Sequence, residues 1–300
     1  MTNQRKTRLS TLCLFLTALI WGLAFVAQVE GAKHMGSLTF GGVRFAIGTL
    51  SLLPLTLLLE RLPSREELLR TLKYGSLAGV VLFAASTLQQ FGIALTGSAG
   101  KAGFITGLYI VLTPLFSVFL GKRPGKGTVL GAAAAFAGLY FLSAPQGLGR
   151  VTPGDALLAA CAVFWTLHIM VVDAFGPKVK PIRFSVVQFA VCALLSLAAM
   201  ALFEQPHIAG LRAGLAPLLY GGLLSVGVAY TLQIVGQRRV EPSKAAVIFS
   251  LESLFAALGG FLLLRETLGW KGYLGGGLMF LGILLSQAKP RRPRPALLED

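Results

Sequence analysis

Ten apolar runs, each about as long as a bilayer-crossing helix, occupy most of this 300-residue chain. They cover Leu9 to Gln28, Leu38 to Leu59, Gly75 to Leu95, Ala102 to Leu120 and Gly127 to Ser143, then Ala156 to Phe175, Phe184 to Phe203, Leu215 to Val235, Ala245 to Leu264 and Trp270 to Gln287. A helix needs about 20 residues to cross the hydrocarbon core, so ten would use roughly two-thirds of the chain. The runs are continuous blocks and not the alternating ten-residue segments of a membrane barrel, so they read as helices. The fifth and tenth are short. Composition excludes a soluble fold: 55% of the residues are hydrophobic and 13% charged, against about 25% charged in soluble domains. The loops leave no room for a separate catalytic or nucleic-acid-binding domain. The first run, behind Arg5, Lys6 and Arg8, has the outline of a secretory signal, but nine spans follow it and a retained first helix is expected.

The formal net charge is +15. With the N-terminus in the cytoplasm, twenty Lys and Arg fall inside and six outside, and Arg44 lies within a span. Positive loops stay cytoplasmic, so the split favours an even span count with both termini inside a bacterial-type cytoplasmic membrane. It also explains the basic pI without a nucleic-acid partner. The C-terminal tail, residues 289–300, reads as a topology anchor rather than a specific lipid or regulatory site. Cys13, Cys161 and Cys192 sit inside apolar runs, at no spacing that suits a metal or a disulfide framework.

The chain also matches itself at an offset of 144 residues. Trp21 falls on Trp165, Phe40 and Phe45 on Phe184 and Phe189, and Thr87-Leu88-Gln89 with Gly92 on Thr231-Leu232-Gln233 with Gly236. Leu130-Gly131, Phe136 and Gly138 fall on Leu274-Gly275, Phe280 and Gly282. In the fourth span the register is expected to slip, with Thr113-Pro114-Leu115-Phe116 on Glu252-Ser253-Leu254-Phe255. Residues 1–145 and 150–288 are thus two repeats of five spans. An odd number of spans sends the second copy into the membrane from the opposite side, and inverted repeats serve alternating access around a site near the midplane.

The Trp21-Gly22 pair, Gly107-Leu108-Tyr109 followed by Thr113-Pro114-Leu115, the run Ser250-Leu251-Glu252-Ser253-Leu254-Phe255-Ala256-Ala257, and Leu264-Arg265-Glu266 add a family signature. With these, nearly the whole chain resembles the drug/metabolite transporter superfamily, EamA type. The resemblance implies a ten-helix inner-membrane carrier exporting amino acids, other metabolites or toxic compounds. The chain departs from the family at Ser253, where Pro is common, and at Lys122-Arg123, where a Gly-Glu-Arg-like turn is frequent.

Polar residues inside the spans are the candidates for transport, because a buried charge costs about 3 kcal/mol on insertion scales. Glu252 would bind a cationic substrate group or a coupling proton, or else make a helix-to-helix hydrogen bond. Arg44 would meet a substrate carboxylate, pair with Glu30 or snorkel to the outer interface. Gln89 and Gln233 are repeat-equivalent amides, suited to a ligand or to an interhelical bond. Trp21 and Trp165 lie mid-span, away from the interfacial belt, as walls of a cavity or plain packing. Tyr109 and Tyr230 join them. His168 shares a helical face with Trp165 and reads as a buried histidine sooner than a proton relay. Glycine pairs such as Gly75 with Gly79 and Gly103 with Gly107 permit close helix contact, or dimerisation; Pro114 kinks its span.

No zinc, serine-hydrolase, dithiol or phosphate-loop motif occurs in the sequence, which sets aside a membrane enzyme and intrinsic ATP-driven pumping. No cofactor or metal is expected. The expected partners are a small-molecule substrate and the lipid bilayer, with the chain a monomer or homodimer. A non-transporting scaffold or sensor on the same fold is the alternative to a carrier.

Overall fold

A computed structural model of the protein describes residues 3–143, 151–263 and 269–287. Leu264-Arg265-Glu266, most of the connector between the repeats and the basic tail lie outside the described residues. All regular elements among those described are helical. The first half has three unbroken helices, α1 (Asn3–Ala32), α2 (Ser37–Leu59) and α3 (Arg65–Thr96). Then α4 (Ala99–Thr106) and α5 (Tyr109–Phe119) form one span broken at Gly107-Leu108, and α6 (Lys126–Ser143) follows. In the second half come α7 (Pro153–Phe175) and α8 (Pro181–Phe203). After the short α9 (Ile208–Ala213), α10 (Leu215–Leu219) continues through a π-helical stretch, Tyr220–Tyr230, into α11 (Thr231–Gln237). A second broken span comprises α12 (Pro242–Phe249) and α13 (Leu251–Leu263), and α14 (Trp270–Gln287) is last. Among the described residues eight helices are long and apolar enough to cross a membrane, with each broken or composite span counted once. The 18-residue α6 and α14 are outside that set and pack on each other.

Surface and interior reverse the pattern of a soluble protein. Leu57, Leu58, Phe119, Leu202 and Phe203 are more than three-quarters exposed, whereas Thr17, Gln90, His168, Gln188 and Gln233 are fully buried. Apolar side chains facing outward need hydrocarbon around them, and buried polar ones need partners. The cysteines are buried and free, in line with a packing role. Capping boxes start two of the long helices, α3 and α7. Ser64 Oγ accepts from Glu67 N–H at 3.2 Å while the Glu67 carboxylate accepts from Ser64 N–H at 3.0 Å, and Thr152 with Asp155 does the same for α7.

The packing repeats at the offset seen in the sequence. A Cβ on Gly92 would meet Leu158 Cγ at 2.6 Å, and one on Gly236 would meet Leu14 Cγ at 2.7 Å; both glycines and both leucines are 144 apart. Where α6 crosses α14, a Cβ on Gly131 would meet the Gly282 carbonyl at 2.4 Å and one on Gly138 the Gly275 carbonyl at 2.5 Å. Rising along one helix matches falling along the other, so the two cross antiparallel. Gly75 and Gly79 likewise admit Val187 and Val191 of α8. These small residues serve contacts within the chain. The fourth-span expectation needs correction: Ser250, where the second broken span parts, follows Gly107 by 143 residues. The slip is one residue, not five. The Thr113–Phe116 match was misleading because a Leu-Phe pair is commonplace in apolar runs.

Two glutamates tie α2 to α8. Glu60, at the end of α2, accepts the Ile182 N–H at 3.0 Å and the Arg183 N–H at 3.2 Å, in the first turn of α8. Glu204, at the end of α8, accepts the Leu38 N–H at 2.9 Å, the Thr39 N–H at 2.8 Å and the Thr39 hydroxyl at 2.7 Å, in the first turn of α2. Each helix thus lends its C-terminal carboxylate to the exposed amides and positive dipole end of the other.

Candidate functional site

Eight of the nine residues singled out from the sequence line one cavity: Trp21, Arg44, Gln89, Tyr109, Trp165, Tyr230, Gln233 and Glu252. They come from α1, α2, α3, α5, α7, the π-helical stretch, α11 and α13, so elements of both halves contribute. The free volume is about 30 Å³, room for roughly one water. In this conformation the lining side chains leave little free space between them.

Aromatic rings form one wall. Trp21 packs on Tyr230 at 4.7 Å between centroids, on Phe249 at 5.4 Å and on Trp165 at 6.0 Å. Trp21 and Trp165 are repeat-equivalent and touch each other, as do Phe45 and Phe189, 6.1 Å apart. The Trp21 indole N–H donates to the Ser225 carbonyl at 3.3 Å. That carbonyl and Tyr230 belong to the π-helical stretch, where wider winding and Gly221-Gly222 bring the backbone onto Arg44 and Ile47 of α2.

Charge enters from two sides. The Tyr109 hydroxyl donates to Glu252 Oε1 at 2.9 Å, and this buried carboxylate has no salt-bridge partner among the described residues. Arg44 is 3% exposed. Its guanidinium carbon lies 5.1 Å from the Phe45 ring and 5.3 Å from the Phe40 ring, and its Nε has no hydrogen-bond partner. Ring faces attract a cation but do not neutralise it. Two alternatives read from the sequence are thereby corrected. Glu30 bonds Lys33 and His34 instead of Arg44, and burial rules out snorkelling because Arg44 is held between α2 and the π-helical stretch.

Polar capacity at the cavity is underused. Gln233 donates to Gln237, but its carbonyl oxygen is unpartnered, as are that of Gln28 and the Trp165 indole nitrogen. Unmet donors and acceptors at such a depth suit a ligand or water that can complete them. His168 departs from the group: it does not line the cavity, its Nε2 lies 3.0 Å from Gln188 Oε1, and its ring packs edge-on against Trp165 and Tyr230. It braces the wall from behind. Sequence reasoning missed Gln28, Ser225, Phe249 and Ile169, which also line the cavity. Gln28 carried a usable signal, a lone amide in an apolar run two turns from Trp21 on the same face.

The EamA-like transporter family model matches residues 8–144 and again 152–287. A curated relative from Archaeoglobus fulgidus, described as an uncharacterized transporter, is 32% identical over 281 residues, covering 93% of this chain and 86% of its own. The uncharacterized transporter YwfM of Bacillus subtilis is 28% identical over 296 residues, with 97% and 98% covered. A solved structure, described only as a crystal structure of a protein, superposes with a TM-score of 0.77 at 22% identity, covering 93% of this chain and 96% of that one; it shares the fold. The chain belongs to the EamA-like transporter family of the drug/metabolite transporter superfamily and is a multi-pass membrane transporter.

Proposed function

We propose that the protein is a secondary carrier of a bacterial-type cytoplasmic membrane, exporting a small organic metabolite by alternating access between two inverted five-span halves with cytoplasmic termini. The observation that carries this reading is the cavity itself: both halves supply its walls, and repeat-equivalent residues meet across it. Trp21 touches Trp165, and Tyr109 bonds Glu252, which follows it by 143 residues. Contacts between equivalent residues, and the antiparallel glycine crossing of α6 on α14, are what a two-fold axis in the membrane plane would produce. Exchange of conformations between such halves would expose the cavity to one side and then the other.

The chemistry of the lining favours an amino acid as the metabolite. Arg44 offers a cation to a carboxylate, Glu252 an anion to an ammonium group or a coupling proton, and the Trp, Tyr and Phe rings an apolar surface to the side chain. The full chain, reconstituted in liposomes and given labelled amino acids with and without a pH gradient, tests this. Saturable, gradient-driven uptake that Glu252→Gln uncouples is expected. Saturable uptake indifferent to the gradient would retain the carrier and remove the proton. No saturable uptake of amino acids or other small metabolites would favour a non-transporting scaffold.

A further inference from the structure

A second cavity, of about 230 Å³, opens at the end of the bundle where α3 begins, α7 passes into α8 and α11 ends. Five cationic side chains face it, Arg70, Lys178, Lys180, Arg183 and Arg238, against one carboxylate, Glu67. Glu67 is already engaged by Arg61 at 2.6 Å and by the Ser64 cap. Arg70 pairs with Glu66, and Arg183 lies 3.9 Å from Glu60 and donates to the Arg61 carbonyl. Lys178, Lys180 and Arg238 have no carboxylate within 4.0 Å among the described residues. Lys178 is instead held over the stacked rings of Tyr74 and Phe175, 5.7 and 4.9 Å from their centroids. Arg238 spends one nitrogen on the Gly176 and Val179 carbonyls, which aims the rest of the guanidinium into the cavity mouth. Partial burial lowers the Arg238 pKa from its ordinary value, against the pull of Glu60, a cost that a bound anion would offset.

The fold does not need these charges at such a corner. At the opposite end, Met35, Gly36 and Thr39 occupy the positions equivalent to Val179, Lys180 and Arg183, and Glu204 that of Glu60. That corner builds the same carboxylate cap without Lys or Arg lining its cavity of about 240 Å³. Convergent cations around a concave site recognise phosphate, and arginine forks match its oxygens. We propose that this corner binds a phosphate ester anion, of the kind an anionic phospholipid carries, with the headgroup among Lys178, Lys180 and Arg238.

The test uses the full chain in detergent, titrated at fixed ionic strength with dioctanoyl phosphatidylglycerol, dioctanoyl phosphatidylcholine and sodium phosphate. Unfolding temperature and bound lipid by native mass spectrometry are the readouts. At about 1 kcal/mol per basic residue, the triple variant Lys178→Gln/Lys180→Gln/Arg238→Gln is expected to bind phosphatidylglycerol about a hundredfold more weakly. Arg5→Gln/Arg123→Gln/Lys126→Gln, which removes equal charge outside the cavity lining, stays within about twofold of the parent. Lys180→Glu, a single change of an exposed side chain, repeats the loss if the triple variant folds poorly. Selective loss of phosphatidylglycerol binding assigns the site to a lipid headgroup. A phosphate-induced rise in unfolding temperature that the triple variant abolishes, without preference between the lipids, assigns it to a free phosphate. Equal loss in both triples, or no response to any of the three probes, overturns the proposal and leaves these cations as determinants of topology alone.

Discussion

Glu252 and Tyr109 are bonded across the cavity at 2.9 Å, carboxylate to phenol, from the second segments of the two broken spans. Both follow a helix break within two residues. The phenol is the one hydrogen-bond partner recorded for the carboxylate among the described residues. Removing the hydroxyl by Tyr109→Phe is expected to cost about 1 kcal/mol, seen as a roughly fivefold change in transport KM, with saturable uptake retained. Glu252→Gln keeps the shape and the acceptor but cannot exchange a proton, and should abolish acceleration by a pH gradient. Liposome flux assays on both variants check this, and a gradient response kept by Glu252→Gln would exclude this carboxylate from coupling.

Arg44 pulls stability and activity in opposite directions. A buried cation with no carboxylate partner is costly, so Arg44→Met is expected to stabilise the fold by about 1–3 kcal/mol. It should also reduce transport of carboxylate-bearing substrates by at least about tenfold. Thermal unfolding in detergent and liposome uptake measure the two effects, and a less stable Arg44→Met would mean that the guanidinium is satisfied in the fold.

The α6–α14 crossing distinguishes glycines that matter. Gly131→Ala places a methyl 2.4 Å from the Gly282 carbonyl, and must push the helices apart at about 1–3 kcal/mol. Gly277→Ala, in α14 itself, meets nothing within 4 Å and should gain up to about 1 kcal/mol of helix propensity. Unfolding midpoints of the two variants, read side by side, test the contrast.

The reciprocal caps should be worth similar amounts. Glu204→Ala leaves the Leu38 and Thr39 amides without their acceptor and is expected to cost about 1–3 kcal/mol. Glu60→Ala should cost about as much. The two caps lie at opposite ends of α2 and share no partners, so the double variant should be additive within about 0.5 kcal/mol, as a double-mutant cycle can show.

Legibility followed depth in the bilayer. Trp21, Arg44, Gln89, Tyr109, Trp165, Tyr230, Gln233 and Glu252 could be picked out because a polar or bulky aromatic group is conspicuous among leucines, and all eight line one cavity. Helix breaks at Gly107 and Ser250 and the π-helical winding of Tyr220–Tyr230 left little trace, since they depend on how neighbouring helices crowd the backbone. The carboxylates at span ends were hidden differently. Glu60 and Glu204 stand at the same offset as the tryptophans, yet beside loops they pass for ordinary solvated charges. Only the antiparallel pairing of α2 with α8 shows whose amides they serve. The basic corner was masked by its own success as a topology signal, because counting cations per loop does not reveal that five of them converge.

The exchanged glutamates also limit which parts of the transporter can separate. Because α2 belongs to the first half and α8 to the second, and each is clasped by the other at both ends, this pair behaves mechanically as one strut built from two repeats. Opening the cavity along the α2–α8 seam would strip a carboxylate from a helix start at whichever end parted. Under the proposed alternating access, the bundle would swing about that strut, with the seams around α1, α3, α7 and the broken spans left to slide.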